Sequence, residues 1–201
     1  MDLTCREKQT IQIDDLTNFF SVLVTKFLSF LIIQSLRFEI LGPKSLEFYL
    51  WTTTITRDSF LSSSLIYVQP QLKLVLTWPS PKLHGHETVL TSAFDTMNLS
   101  FLTQLQLVTD DDYFDSKTWV KTFGKLPLLD CVYADGDLGL SILEALVYKT
   151  EAAEKSKTAY RNVSFPKLRY IYLKNVFFTP SDDMLLDCLM ERCEKNAEVQ
   201  G

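Results

Sequence analysis

Residues 99–107 read Leu-Ser-Phe-Leu-Thr-Gln-Leu-Gln-Leu, with apolar side chains at the first, fourth, seventh and ninth positions. The same spacing returns at 126–134 and 165–173, and in weaker form at 30–38 and 68–76. A short strand that recurs behind its own turn is typical of leucine-rich-repeat solenoids, in which each unit buries its apolar side against the next. The pattern predicts an α/β solenoid with a parallel sheet on one face and helices on the other.

The copies are unevenly spaced. Their seventh positions are separated by intervals that mostly exceed the roughly 20–29 residues of a regular leucine-rich repeat. We therefore expect irregular units in a single domain at 16–201, a fragment of a longer array, after a polar N-terminal tail at 1–15. Alternating apolar residues also predict strands at Leu46–Trp51 and Leu72–Trp78. The seventh positions are Leu36, Leu74, Leu105, Val132 and Ile171.

Composition limits the classes of partner. The chain has 201 residues, of which 46% are hydrophobic and 22% charged, and a formal net charge of −5. These proportions fit a folded globular domain. The sequence has no basic block, so no nucleic-acid partner is expected. The apolar run at 19–33 is too short to span a bilayer and contains Lys26, so no membrane partner is expected either.

The cysteines indicate a compartment. Their spacing matches neither a zinc motif nor a redox Cys-x-x-Cys motif, and scattered thiols fit a reducing environment. We expect an intracellular protein, cytoplasmic or nuclear. The four cysteines are Cys5, Cys131, Cys188 and Cys193.

Two helices are predicted between the later strands. Ser116 is a residue type that caps helix N-termini, and Gly124 is the type that ends a helix in the left-handed conformation, which predicts a helix near 116–123. Ser141 and Glu144 have the spacing of a capping box, which predicts a second helix extending to about Tyr160.

The outward residues of the repeated strands form the candidate binding surface. If Ile171 and Leu173 fill the core, the alternate residues of that strand face outward. Tyrosines exposed in this way suit protein recognition, because they offer apolar area and a polar tip at low entropic cost. The alternative is that a neighbouring loop covers them. The candidates are Tyr170, Tyr172 and Lys174, with Tyr133, Gln104, Gln106 and Lys73 as their counterparts on other strands.

No residue cluster predicts catalysis, a metal site or a cofactor. The two histidines, in His84-Gly85-His86, are too few to hold a metal without further ligands. The acidic run Asp110-Asp111-Asp112 lacks the alternating oxygens and turn glycine of a calcium loop. No phosphate-binding loop, Gly-x-Ser-x-Gly or His-Glu-x-x-His motif occurs.

Several segments from residue 99 onward resemble the C-terminal repeats of basidiomycete fungal F-box-like proteins with leucine-rich repeats. These segments are Leu126-Pro127-Leu128-Leu129, the stretch 144–150 and the stretch 165–173. The resemblance implies a non-catalytic module that reads the substrate of a ubiquitin ligase. Such proteins begin with an F-box that docks on the ligase adaptor; here only Ile11–Leu31 is available as a degenerate remnant, so adaptor binding is expected only if that remnant functions.

Two other functions fit the sequence. One is a small hydrolase or transferase on an α/β sheet, which needs convergent polar groups in a pocket. The other is a truncated gene product without independent function. Thr179-Pro180-Ser181-Asp182-Asp183 predicts the start of a last helix, and the chain stops just after it, where another strand is expected.

Overall fold

A seven-stranded mixed sheet organises the chain. The structure, a computed structural model, describes residues 2–6, 31–40, 45–56, 68–77, 93–109, 115–136, 138–147 and 164–176, together with residues 18, 22, 26, 59, 91 and 190. The strands are β1 (Asp2–Arg6), β2 (Ser35–Ile40), β3 (Ser45–Trp51), β4 (Leu72–Thr77), β5 (Gln104–Val108), β6 (Cys131–Asp135) and β7 (Tyr170–Lys174). Helix α1 (Ser116–Thr122) lies between β5 and β6, and α2 (Leu138–Val147) follows β6.

The strands lie in the order β1-β4-β3-β2-β5-β6-β7. Strands β2, β5, β6 and β7 are consecutive parallel neighbours. The strands centred on Leu105, Val132 and Ile171 are thus adjacent and parallel, as their pattern predicts. Each seventh position faces the next, because Leu36 pairs with Leu105, Leu105 with Val132, and Val132 with Ile171.

The expectation of a wholly parallel sheet is wrong on the other side of β2. Strand β3 runs antiparallel to both β2 and β4. Residues 41–44 are all that separate β2 from β3, and a parallel crossover needs a dozen residues or more. As a result β4, which carries the copy at 68–76, lies beyond β3 instead of between β2 and β5.

The predicted polar tail at 1–15 contains a strand. Residues Asp2–Arg6 form β1 and pair in parallel with Lys73–Thr77 of β4. A strand with one unpaired side presents a row of free backbone groups, and β1 satisfies that side of β4. The rest of the 1–15 segment lies outside the described residues.

One face of the sheet forms the main core. The apolar residues that alternate along β2 to β6 are almost fully buried on this face, and those of β7 pack against them. Trp119 and Phe123 of the α1 region and four residues of α2 belong to the same cluster, as does Phe94, whose ring centroid lies 4.9 Å from that of Phe123. The α2 residues are Ile142, Leu143, Ala145 and Leu146.

The turn that leads into each parallel strand has the same hydrogen bonds. In each case the last residue of the turn and the first residue of the strand both donate their backbone N–H to one carbonyl of the preceding turn. Thr103 and Gln104 donate to Gln34 (2.9 and 3.1 Å), Asp130 and Cys131 to Thr103 (2.9 and 3.1 Å), and Arg169 and Tyr170 to Asp130 (2.9 and 3.0 Å).

Both helices differ from prediction at their ends. Asp115, not Ser116, is the N-cap of α1, and its side chain accepts the N–H of Thr118 at 2.7 Å. Gly124 is not left-handed; a Cβ there would lie 2.5 Å from the carbonyl oxygen of Val120, so glycine is needed for a close backbone approach.

Helix α2 begins at Leu138, before the predicted capping box. Ser141 is buried within that helix and accepts a hydrogen bond from Trp119 Nε1 at 3.0 Å. Its hydroxyl therefore joins α1 to α2 and does not cap a helix. The predicted continuation to Tyr160 lies outside the described residues beyond Val147.

Candidate protein-binding surface

The side of the sheet opposite the main core, here called the polar face, carries a continuous row of polar and aromatic side chains. The row follows the sheet register from β4 to β7, since each member is the Cα partner of the next. It brings four of the predicted site residues together. The row consists of Lys73, Tyr49, Arg37, Gln106, Tyr133 and Tyr172.

The other predicted residues flank this row. Gln104 and Tyr170 lie on the same face two residues closer to the start of their strands, in a parallel row in which Cys131 lies between them. Lys174 lies on the same face two residues further along its strand, where it is paired with Asp135. All seven predicted residues are therefore on the same face of the sheet.

The charged groups of the polar face are arranged as ion pairs. Arg37 pairs with Glu39, Lys73 Nζ lies 2.9 Å from Glu47, and Lys174 Nζ lies 3.2 Å from Asp135. Each cation thus has its own carboxylate, on the same strand for Arg37 and on the neighbouring strand for Lys73 and Lys174. The arrangement makes this face nearly neutral and orients its long side chains.

Tyr49 is a member of the row that the sequence reasoning missed. Its hydroxyl donates to Glu47 and lies 3.4 Å from Glu39, while Lys73 Nζ lies 4.9 Å from the ring centroid. Burial and the hydrogen bond to Glu47 raise the pKa of Tyr49. Burial alone would lower the pKa of Lys73, but its bonds to Glu47 and Tyr49 outweigh that effect and raise it. The alternation within Leu46–Trp51 could have revealed Tyr49, because it places Tyr49 on the face of the sheet opposite to that of Phe48.

Two of the predicted surface residues are buried. Gln106 is 1% exposed and Tyr133 is 3% exposed, so the expectation that both face solvent is wrong. A second apolar cluster, made of Trp51, Ile55, Cys131 and Tyr133, lies on the polar face and accounts for the burial of Tyr133. Burial also raises the pKa of Tyr133.

A segment after β3 reaches over this part of the polar face. Ile55 N–H donates to Gln104 Oε1 and Gln104 Nε2 donates to the Ile55 carbonyl, both at 2.9 Å. Trp51 Nε1 donates to the carbonyl of Val68 at 3.2 Å. The covering loop considered as an alternative is therefore present at Gln104.

The two most exposed of the predicted residues, Tyr170 and Lys174, are on β7, whereas Lys73 on β4 and Gln104 on β5 are half-buried. Tyr170 is 44% exposed, the Lys174 side chain is 47% exposed, and Tyr172 is half-buried. The guanidinium carbon of Arg169 lies 5.5 Å from the Tyr170 ring centroid. We call Tyr170, Tyr172 and Lys174 the β7 surface.

Asp135 is held by protein donors. It accepts hydrogen bonds from Tyr133 Oη at 3.3 Å and Asn175 Nδ2 at 2.6 Å, besides its ion pair with Lys174. The bond to Asp135 raises the pKa of Lys174. Gly136 follows with a φ of 90°, in the left-handed region that favours glycine.

The sequence contains two further groups that were weighed as metal ligands, the histidines and the acidic run. His84, His86 and the run 110–112 lie outside the described residues. Within the described ranges no group of three or more histidine, cysteine or acidic residues could hold a metal ion. In the same ranges no helix has the length and apolar character needed to cross a membrane.

No protein-family profile matches this chain, and neither the curated proteins nor the solved structures contain a match.

Proposed function

We propose that this chain is a non-catalytic protein-binding module whose partner contacts the β7 surface. The observation that carries the proposal is made on the polar face. Tyrosines and ion-paired cations form one row across the sheet there, and this face is buried at β6 and more exposed at β7. Tyrosine is enriched at protein interfaces because it contributes large contact area and a hydrogen bond while losing little rotamer freedom. Ion pairs that already exist in the free protein reduce the entropy lost when a partner binds.

The proposal includes a solenoid architecture. The repeated hydrogen bonds before β5, β6 and β7 support it, because one local geometry is applied three times in succession. The aligned seventh positions support it as well, since each unit buries its apolar side against the next. Strand β3 interrupts the series, so the proposed solenoid is irregular at its N-terminal side.

A role in reading the substrate of a ubiquitin ligase is a further part of the proposal, and it rests on the sequence resemblance alone. Most of Ile11–Leu31 lies outside the described residues. Binding of the purified ligase adaptor to the full chain, with and without residues 11–31, should therefore be measured before any ubiquitination assay.

Site-specific photo-crosslinking tests the binding surface. A benzophenone amino acid placed at Tyr172 or Lys174 should crosslink the partner in cells, whereas the same group at Lys121, an exposed residue of α1, should not. Mass spectrometry identifies the partner, and the Tyr170→Ala/Tyr172→Ala variant should weaken its binding to the purified full chain by at least about tenfold. A folded variant that binds the same partner with unchanged affinity would remove the β7 surface from consideration.

A further inference from the structure

A groove lies at the N-terminal ends of the parallel strands. Its volume is about 670 Å³, within the range of about 300–1,000 Å³ that is usual for ligand sites. The turns before β5, β6 and β7 form it, together with Thr54 from the segment after β3. We call it the turn groove; it adjoins the β7 surface through the contact between Arg169 and Tyr170, but no residue of the β7 surface lines it.

The third position of the repeat forms an exposed ridge beside this groove. Ile32, Phe101 and Leu128 occupy that position in the copies at 30–38, 99–107 and 126–134, and they are 50%, 44% and 43% exposed. The sheet register places these turns next to one another. Exposed apolar residues that recur at one position mark an interaction site more than scattered ones do. Lys167 takes the third position in the copy at 165–173, so this series of residues is apolar as far as Leu128 and cationic at Lys167, and both of these residues line the groove.

The groove itself combines apolar and cationic groups. Leu128, Pro166 and Leu168 supply apolar walls, while Lys167 and Arg169 supply positive charge. Asp130 is the acidic residue in the lining, and Arg169 binds it through Nε and through Nη2, the latter at 3.1 Å. One positive charge is therefore in excess, in a chain whose net charge is −5.

Donors are available to a ligand in this groove. The Arg169 side chain is 70% exposed, and a guanidinium has five N–H donors, of which Asp130 engages only part. Lys167 is exposed and forms no ion pair with another described residue. The hydroxyls of Thr54 and Thr103 lie 3.5 Å apart and already donate, to Gln34 Oε1 at 3.1 Å and to the Gln34 carbonyl at 2.9 Å, so they can only accept from a ligand. A carboxylate matches the cationic end, and an aliphatic side chain matches the walls.

We propose that the turn groove binds a short extended segment of a partner protein in which an acidic residue lies next to an aliphatic one. The aliphatic side chain packs on Leu128, Pro166 and Leu168, and the carboxylate pairs with Lys167 and Arg169. This inference rests on the proposal that the chain binds protein, but it does not require the β7 surface to be the contact.

Selection from a phage-displayed library of random 12-residue peptides, performed on the full chain, tests the inference without assuming a partner. Enriched peptides should share an Asp or Glu beside Leu, Ile or Val. Synthetic copies should bind the parent in fluorescence anisotropy, and both Leu128→Ser and Lys167→Glu should weaken that binding by about tenfold. A peptide with Lys in place of its acidic residue should bind Lys167→Glu better than it binds the parent.

Two control variants separate this site from the β7 surface. Lys121→Glu on α1 makes the same charge change as Lys167→Glu away from the groove, and Tyr172→Ala/Lys174→Ala alters the β7 surface; both should leave peptide affinity within about twofold. The inference is overturned if no peptide is enriched, or if the enriched peptides bind Leu128→Ser and Lys167→Glu as they bind the parent. Peptides that lose affinity only for Tyr172→Ala/Lys174→Ala would overturn the groove and support the β7 surface.

Discussion

Arg37 and Glu39 are charged residues on the polar face of β2, and both are only 8% exposed. Burial lowers the pKa of Arg37, while Tyr49 and other nearby groups act in the opposite direction. The guanidinium pairs with Glu39, and its Nη1 donates to Gln106 at 3.4 Å. Arg37 Nε has no hydrogen-bond partner among the residues that the structure describes. Single residues of this kind depend on their partners, because a buried charge without its counter-ion is costly.

Replacing Arg37 with Met should destabilise the protein by about 3 kcal/mol, because Glu39 then stays buried near Glu47 without its cation. Urea denaturation measures the change in the free energy of unfolding. The matched double variant Arg37→Met/Glu39→Leu should recover most of the loss, since it removes both charges. Equal destabilisation in the single and double variants would contradict the pairing.

Asp115 should contribute about 1 kcal/mol as the N-cap of α1, measured as the stability lost in Asp115→Ala at pH 7. The hydrogen bond from the Thr118 backbone N–H lowers the pKa of Asp115. The carboxylate's contribution is therefore complete above the ordinary pKa of about 3.9 and is lost as the pH falls through the lower folded value.

Asp115→Asn is the control for this pH dependence, because it keeps a cap that does not titrate. The parent should exceed it in stability at pH 7 and lose that advantage in strong acid, where the carboxylate of Asp115 is protonated. An advantage that is the same at both pH values would show that the charge of Asp115 does not contribute.

At the level of the strands, burial depends on position in the sheet. Leu107 of β5 and Leu173 of β7 occupy the same row of the core face, with Ala134 of β6 between them. Leu107 is 0% exposed, whereas Leu173 is only partly buried against the core. Identical residues in identical pattern positions therefore have different surroundings.

Leu107→Ala should destabilise the protein by about 3 kcal/mol or more, because it leaves a cavity in the middle of the sheet. Leu173→Ala should cost about 1–2 kcal/mol, since its side chain removes less apolar area from water. Thermal and urea unfolding of both variants test this order. A larger effect at Leu173 would contradict the weaker burial of its side chain in the core.

For the whole molecule, the sheet joins two arrangements of strands at β2. Strands β2, β5, β6 and β7 are parallel, whereas β3 is antiparallel to β2 and β4, and β1 closes the far side of β4. The parallel half follows the pattern that residues 99–107 predict. The other half depends on a short connection and on the N-terminal strand.

Deleting residues 1–6 should leave β4 unpaired on the side where β1 now lies. Backbone amides of β4 should then exchange with deuterium about tenfold faster or more, because hydrogen bonds to β1 are lost. Amides of β6 are the internal control, since β5 and β7 pair with both of its sides and should keep their protection. Unchanged exchange in β4 would contradict the β1–β4 pairing.

The sequence by itself determined which residues share the core face, the positions of β2 to β7 and the parallel order of β5, β6 and β7. These features depend on the two-residue alternation of strands and on turns formed by neighbouring residues, so they can be read along the chain. Only the tertiary structure decided that β3 separates β2 from β4, that β1 pairs with β4, and that Gln106 and Tyr133 are buried. The physical reason is that strand order and the cover provided by Trp51 and Ile55 arise from contacts between segments far apart in the chain, which no local pattern encodes.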